Sequence, residues 1–245
     1  GWLQDEVGST PTDLEAFRTV GDVMLAASGQ TVSAGPTRLS DIPRTWRPSP
    51  VDPHCPDNVT DMTLLQAVLT QAGRAPSLPI IADQTSGVRT NRQLILGARL
   101  LGKHIAQRPG DTIGIMLPAS IAATTTLLAT HMAGKTPAMI NWTAGLKNIR
   151  HCLNLAGVSH ILTSRRLIDR LASQGVVLDE IADTLIFLED IGKEIGRGEK
   201  LCALLGAYGP SAFKLPKVHT PDTAIILFTS GSESLPKAVP LTHRN

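Results

Sequence analysis

Between Met62 and Phe228, short apolar runs alternate with amphipathic stretches, and this alternation limits the fold more than any other feature of the chain. The apolar runs are residues 78–82, 112–117, 137–141, 159–163, 184–188 and 223–228, each the length of a buried strand. Residues 62–72, 91–107, 119–133, 146–156 and 165–173 carry apolar side chains at helical spacing, as in Leu64, Leu65, Val68 and Leu69. Gly134 and Gly157 stand where two of these helices should end. Strands alternating with helices at this spacing imply parallel pairing through right-handed crossovers, with helices on both faces of the sheet. The expected class is therefore α/β with a mainly parallel sheet. A loose stretch containing Gly192, Gly196 and Gly198 is expected before the last strand, 223–228.

Upstream of residue 61 the pattern is different. Six of the 17 prolines fall between Gly35 and Pro56. Proline lacks an N–H and holds its predecessor extended, so this stretch is neither regular helix nor central strand. Residues 13–28 have helical spacing, with Thr12 or Asp13 as N-cap. The expected organisation is a leader at 1–34 with one helix, a Pro-rich linker at 35–60 and the α/β body at 61–245. The leader and linker carry an excess of acids and the body an excess of bases, although the net charge is only +2. A basic body suits small anionic ligands, with a plain solvated basic surface as the competing reading.

Composition removes several classes of function. With 42% hydrophobic residues and little net charge, the chain of 245 residues is not a disordered one. Three widely spaced cysteines, Cys55, Cys152 and Cys202, fit a reducing compartment better than a disulfide scaffold. An aromatic content of 3% leaves few stacking platforms for single-stranded nucleic acid, and the bases are scattered. Residues 113–134 lack charge over a length that could span a bilayer, but Pro118, Ser120, Thr124, Thr125, Thr126, Thr130 and His131 make a strand, turn and buried helix the better reading. No secretory signal opens the chain, since Asp5, Glu6, Asp13 and Glu15 carry the wrong charge. A cytoplasmic protein is expected, with peripheral association at the inner membrane left open.

The most informative segment follows the apolar run that ends at Phe228. Thr229-Ser230-Gly231-Ser232-Glu233-Ser234-Leu235-Pro236-Lys237-Ala238 offers hydroxyls, turn N–H groups and one ammonium, all donors suited to phosphate oxygens. A plain surface turn with an exposed lysine is the competing reading. A Walker A loop is excluded because Pro236 precedes Lys237 and Ala238 follows it, leaving no hydroxyl for magnesium. The pairs His54-Cys55 and His151-Cys152 lack partners at zinc spacing, and no metal site is assigned.

The segment from Thr229 to Lys237, followed by Thr242-His243-Arg244-Asn245, resembles the phosphate loop of the adenylate-forming superfamily, T-S-G-[ST]-[TE]-G-x-P-K-G-V and T-H-x-N. Residues 110–120 and 134–141 resemble the same superfamily's G-D-R-V-G-I-M-L-P-N-S strand and A-G-x-x-P-x-x-x-N turn. Glu233, with residues 137–145 and 161–165, is most similar to the acyl-acyl-carrier-protein synthetase half of bifunctional 2-acylglycerophosphoethanolamine acyltransferases. In that family an acyltransferase domain precedes the adenylating domain. The leader would then be the tail of that domain, and the chain a piece of a longer protein.

The resemblance implies activation of a fatty acid by ATP to an acyl-adenylate, then transfer to the thiol of acyl carrier protein. Coenzyme A is the alternative acceptor, and a non-catalytic scaffold with a degenerate loop is the alternative of another class. Thr229, Ser230, Gly231, Ser232 and Lys237 become phosphate contacts, with Glu233, Ser234, Pro236 and Ala238 shaping the loop. ATP and Mg²⁺ are the implied cofactors, the magnesium ligand being expected beyond Asn245, so that the piece alone should be inactive. His243 is expected to cap a helix, pack or touch substrate. Thr163-Ser164-Arg165-Arg166 is expected as a solvated helix start or a contact for an acidic carrier protein, and Trp142 as an acyl-path or packing residue.

Ser234 and Ala238 stand where the family has glycine. A serine in left-handed backbone costs about 1 kcal/mol relative to glycine. Ser234→Gly in the full-length protein is therefore expected to speed ATP–pyrophosphate exchange. An unchanged or slower rate would mean that position 234 does not use glycine's freedom.

Overall fold

In the computed structural model, which describes residues 62–196, 198, 199, 219, 222–229 and 235–245, side-chain caps start four of the six α-helices found among those residues. Thr63 and Gln66 form a reciprocal capping box that opens α1, Leu64–Arg74. A hairpin follows, β1 (Pro79–Asp83) against β2 (Gly87–Thr90). Thr90 and Gln93 repeat the box at the head of α2, Asn91–Ala106. After β3, Thr112–Ile115, the hydroxyl of Ser120 accepts the Ala123 N–H and starts α3, Ile121–Met132. Then come β4 (Thr136–Met139), a 3₁₀ turn (Trp142–Ala144) and α4 (Leu146–Leu155). β5, Ile161–Thr163, leads through the cap residue Ser164 into α5, Arg165–Ser173. A 3₁₀ segment, Asp179–Thr184, precedes β6 (Leu185–Phe187) and α6 (Leu188–Glu194). β7, Thr223–Phe228, and β8, Ala238–Thr242, complete the order.

The described residues all belong to one unit, Pro48–Asn245. The leader 1–34, the linker 35–60 and loop residues 230–234 lie outside the described residues.

The main sheet has six strands in the order β6-β5-β3-β4-β7-β8. All adjacent pairs are parallel except β7 with β8. The expected α/β class holds, with helices on both faces. One core packs α4 and α5 against the sheet through Ile149, Leu153, Leu167 and Leu171, beside Ile161. The other packs α1, α2, α3 and α6 through Leu65, Leu94, Ala98, Leu128 and Ile191, beside Ile113 and Leu162. Ile161 and Leu162 thus enter opposite cores, as the twofold period of a strand requires.

Three expectations need correction. Residues 78–82 were expected in the parallel sheet, but β1 pairs only with β2 in a separate antiparallel hairpin. Its residues alternate between half-buried and exposed, whereas β5 is buried throughout. That contrast marks a strand with one wet face against one covered on both. The run 223–228 was expected to be the last strand, but β8 follows it; Pro240 is tolerated there because β8 is the edge of the sheet. The stretch expected to be loose contains α6, which runs through Gly192 and seats Ile191 in the second core.

Residues 113–134 resolve as strand, turn and helix, as read from the sequence. Within α3 the hydroxyls of Thr125, Thr126 and Thr130 donate to carbonyls four residues earlier, at 2.7–2.8 Å, so they enter an apolar setting satisfied. The helix has 12 residues, a length of about 18 Å against roughly 30 Å of bilayer core. No helix among the described residues is long and apolar enough to cross a membrane. Gly134 follows α3 with φ of 73°, the left-handed stop expected of it.

Gly114 sits in mid-β3, where an added Cβ would lie 3.0 Å from Val158 Cγ1, 3.1 Å from Ile161 Cγ1 and 3.3 Å from Ile140 Cγ1. Gly114→Ala is expected to destabilise the fold by about 1–3 kcal/mol through overpacking. Chemical denaturation measures this directly; a loss below ~0.5 kcal/mol would mean that the three side chains yield freely.

Candidate functional site

In an open α/β sheet, ligands gather beyond the carboxyl ends of the strands, where the strand order reverses. Here the chain passes from β3 outward to β4, then returns across β3 to β5. The reversal therefore lies between β3 and β5, with α3 leaving to one face and α5 to the other. The buried Thr163 hydroxyl donates to the Met116 carbonyl at 2.9 Å and ties the two strand ends together.

A cleft of about 790 Å³ opens at this point. Its walls include the hairpin turn at Asp83–Ser86, Ser120, Trp142, Arg166 and Arg170. Asp83 holds the turn in place. Its Oδ1 accepts the Thr85 and Ser86 N–H groups and its Oδ2 accepts Ile121 N–H at 2.8 Å, at the start of α3. Those N–H donors, Ser86 first, keep its carboxyl below the ordinary carboxylate range. Asp83 is committed to backbone, and the cleft is lined by Arg166 and Arg170 together with a second carboxylate, Glu189, whose Oε1 accepts the Arg165 N–H. Arg166 donates to Thr85 Oγ1 at 3.1 Å, and Arg170 follows one turn later on α5.

The two bases read from the sequence as a pair take different roles. Arg165 bonds Asp190 and stacks 4.3 Å over the Phe187 ring, so it braces α5 against α6. Arg166 alone faces the cleft. Trp142 both lines the cleft and packs on the first core. No single-residue signal marks this site in the sequence, because its parts come from loops and helices far apart in the chain.

The second feature is the neck formed by the ends of β7 and β8. β7 and β8 pair antiparallel with Phe228 opposite Ala238. One step further, Thr229 N–H donates to the Lys237 carbonyl at 3.1 Å, and Lys237 N–H donates to Thr229 Oγ1 at 3.2 Å. The loop thus joins two antiparallel strands, and among the described residues the element after it is β8. Thr229 and Lys237 are exposed and Pro236 is buried. The Thr229 oxygen accepts the Lys237 N–H, which leaves the hydroxyl proton, like the Lys237 ammonium, to be donated. Both groups are donors, which fits a polyphosphate. Ser230, Gly231, Ser232, Glu233 and Ser234 lie outside the described residues. Ala238 occupies the regular β ladder, and among the described residues only glycines have positive φ, so alanine is not strained there. No group of three or more His, Cys, Asp or Glu residues among the described residues could hold a metal.

One histidine contact escaped the sequence reading. His151 Nε2 lies 3.1 Å from the Pro236 carbonyl, so α4 touches the far limb of the loop. His243 accepts Leu64 N–H on Nδ1 at 3.1 Å, capping α1, one of the roles expected for it. Its ring stands 5.4 Å from that of His131. Cys152, a free thiol, is buried, which pushes its pKa up.

His131 is 6% exposed. Burial, then the charge of His243, pushes its pKa down to about 4. The unfolded chain therefore binds a proton that the folded chain refuses between about pH 6.5 and 4. Stability from this group is complete above that window and falls by about 1.4 kcal/mol per pH unit within it, about 3 kcal/mol in all. His131→Gln is expected to flatten the slope of unfolding free energy in this range by about one proton; an unchanged slope would contradict the neutral, buried state.

With the geometry in hand, known proteins supply the context. The family described as AMP-binding enzyme matches residues 69–245. A medium/long-chain-fatty-acid–CoA ligase of Mycobacterium tuberculosis is 29% identical over 149 residues, covering 61% of this chain and 22% of that protein. Enterobactin synthase component F of Escherichia coli O157:H7 is 28% identical, covering 74% of this chain and 12% of that protein. The chain thus spans well under half of these curated relatives. Among solved structures, VinN superposes with a TM-score of 0.59 at 16% identity, covering 75% of this chain and 44% of that one. The O-succinylbenzoate coenzyme A synthetase of Bacillus subtilis, in complex with AMP, gives 0.56 at 16% identity, covering 74% and 42%. At these identities the structures establish the α/β fold.

Proposed function

Because the chain belongs to the AMP-binding enzyme family, we propose that the full-length protein activates a fatty acid with ATP and passes the acyl group to the thiol of acyl carrier protein. The carboxylate oxygen attacks the α-phosphorus and pyrophosphate leaves, giving the acyl-adenylate. The thiolate then attacks the acyl carbonyl and AMP leaves. The observation that carries this reading is the neck, where Thr229 and Lys237 stand exposed at the strand ends with their backbones bonded to each other. Fixed donors of this kind stabilise charge as it moves onto pyrophosphate, without covalent participation. Ser230, Gly231 and Ser232 add donors by their place in the motif, and Mg²⁺ would neutralise phosphate charge when bound.

The fatty acid is supported by the name of the Mycobacterium tuberculosis relative, a medium/long-chain-fatty-acid–CoA ligase. That same name favours coenzyme A as the rival acceptor. Both acceptors are anionic, and the Arg166–Arg170 wall of the cleft suits either. Carrier protein is preferred on the motif of Glu233 and residues 161–165. The scaffold reading loses one of its two supports, since Ala238 is at ease in the ladder.

ATP–pyrophosphate exchange by the full-length protein, with fatty acids of graded length, tests the first step. Carrier protein against coenzyme A as acceptor tests the second. A charge-assisted hydrogen bond is worth about 1.5–3 kcal/mol. Lys237→Met is thus expected to lower kcat/KM for ATP by roughly 10- to 100-fold. Wild-type exchange in that variant would remove Lys237 from the site, and absence of exchange in the wild type with every acid would overturn the enzyme reading.

A further inference from the structure

The Pro236–Lys237 peptide group is held from both sides. Its N–H donates to Thr229 Oγ1 at 3.2 Å, from the end of β7. Its C=O meets His151 Nε2 at 3.1 Å, from α4. A carbonyl only accepts, so His151 carries its proton on Nε2 and donates it. With this peptide plane held, and the Lys237 carbonyl held in turn by the Thr229 N–H at 3.1 Å, the φ of Lys237 is fixed and so is the direction in which its side chain leaves the backbone. Proline already restricts its own φ, which leaves little freedom on that side of the plane.

We propose that His151 is a positioning residue for the phosphate loop, acting through the Pro236 carbonyl to aim Lys237 at the phosphates of ATP. The inference rests on the reading of this segment as a phosphate loop.

Two further observations place α4 and the loop limb in contact. Leu235 closes a groove of about 410 Å³ against α4, and Lys147, His151 and Asn154 form its other wall. Pro236 is buried although its neighbours Leu235 and Lys237 are exposed. The limb therefore leans on α4 at Pro236, where the imidazole reaches it. α4 also supplies Ile149 and Leu153 to the first core, so His151 projects from a helix anchored to the sheet. A donor on such a base holds the loop better than one on another loop would, because little further ordering is needed when ATP binds.

Alternative roles for His151 are weaker. It is the neighbour of Cys152, but that thiol is buried in the fold and no metal cluster forms among the described residues.

The test uses the full-length protein with His151→Phe, which keeps a ring and loses the donor, and His151→Gln, which offers a donor amide. Losing one hydrogen bond of ordinary strength in the loop is expected to raise KM for ATP about 3- to 10-fold. KM for the fatty acid should stay within twofold, and His151→Gln should recover most of the loss. Amide hydrogen exchange at Lys237 should quicken in His151→Phe and return toward wild type in His151→Gln. An ATP KM within twofold of wild type in His151→Phe would overturn the proposal, as would identical behaviour of the two variants or unchanged exchange at the Lys237 amide. Should the wild type lack ATP–pyrophosphate exchange, the adenylation reading fails, and the Lys237 amide still decides whether His151 holds the loop.

Discussion

The parallel pairing of β7 with β4, in which Ile226 lies opposite Ala138, is the contact on which the candidate site depends. It brings a strand from the end of the described chain beside one nearly ninety residues earlier, and so sets Thr229 at the carboxyl edge shared by the central strands. β8 then pairs with β7 and returns Lys237 to Thr229. Without that pairing the loop segment would be a hairpin tip with no partner for its donors. Parallel pairing of this kind needs cover on both faces, which the two cores supply from opposite sides.

The reversal between β3 and β5 has a different consequence. It splits the crossovers between the two faces and leaves a gap at the strand ends that neither set of helices fills. The β1–β2 hairpin closes one side of that gap because Asp83 bonds the first free N–H of α3. A carboxylate at a helix N-terminus is favoured by the dipole and by the N–H groups themselves. The cleft is thus a by-product of topology whose wall is secured by one acid, and its cations come from the exposed side of α5. The two features, neck and cleft, lie at the same edge of the sheet.

Much of this order is local and was legible in the residues. The periodicity of 165–173 matched α5 to the residue, and Gly134 stopped α3 where expected. Errors arose where burial rather than pattern decides. Residues 78–82 have the apolar content of a core strand, yet half of β1 faces outward, and only the partner β2 distinguishes the cases. Gly192 suggested a loose chain, but the burial of Ile191 outweighs the roughly 1 kcal/mol helix cost of one glycine. The T-x-x-Q boxes at Thr63 and Thr90 were local and readable, and passed unnoticed among stronger apolar signals.

By itself the sequence determined the class of the fold and the chemistry of the loop, because strand and helix periods and donor-rich motifs are properties of neighbouring residues. Tertiary structure alone decided which strands meet, where the cleft opens and which groups hold the loop. His151 reaches Pro236 across 85 residues, and His243 caps α1 across 179. Contacts at such separations are chosen by how whole elements pack to bury both faces of the sheet, and no pattern in either local segment encodes its distant partner.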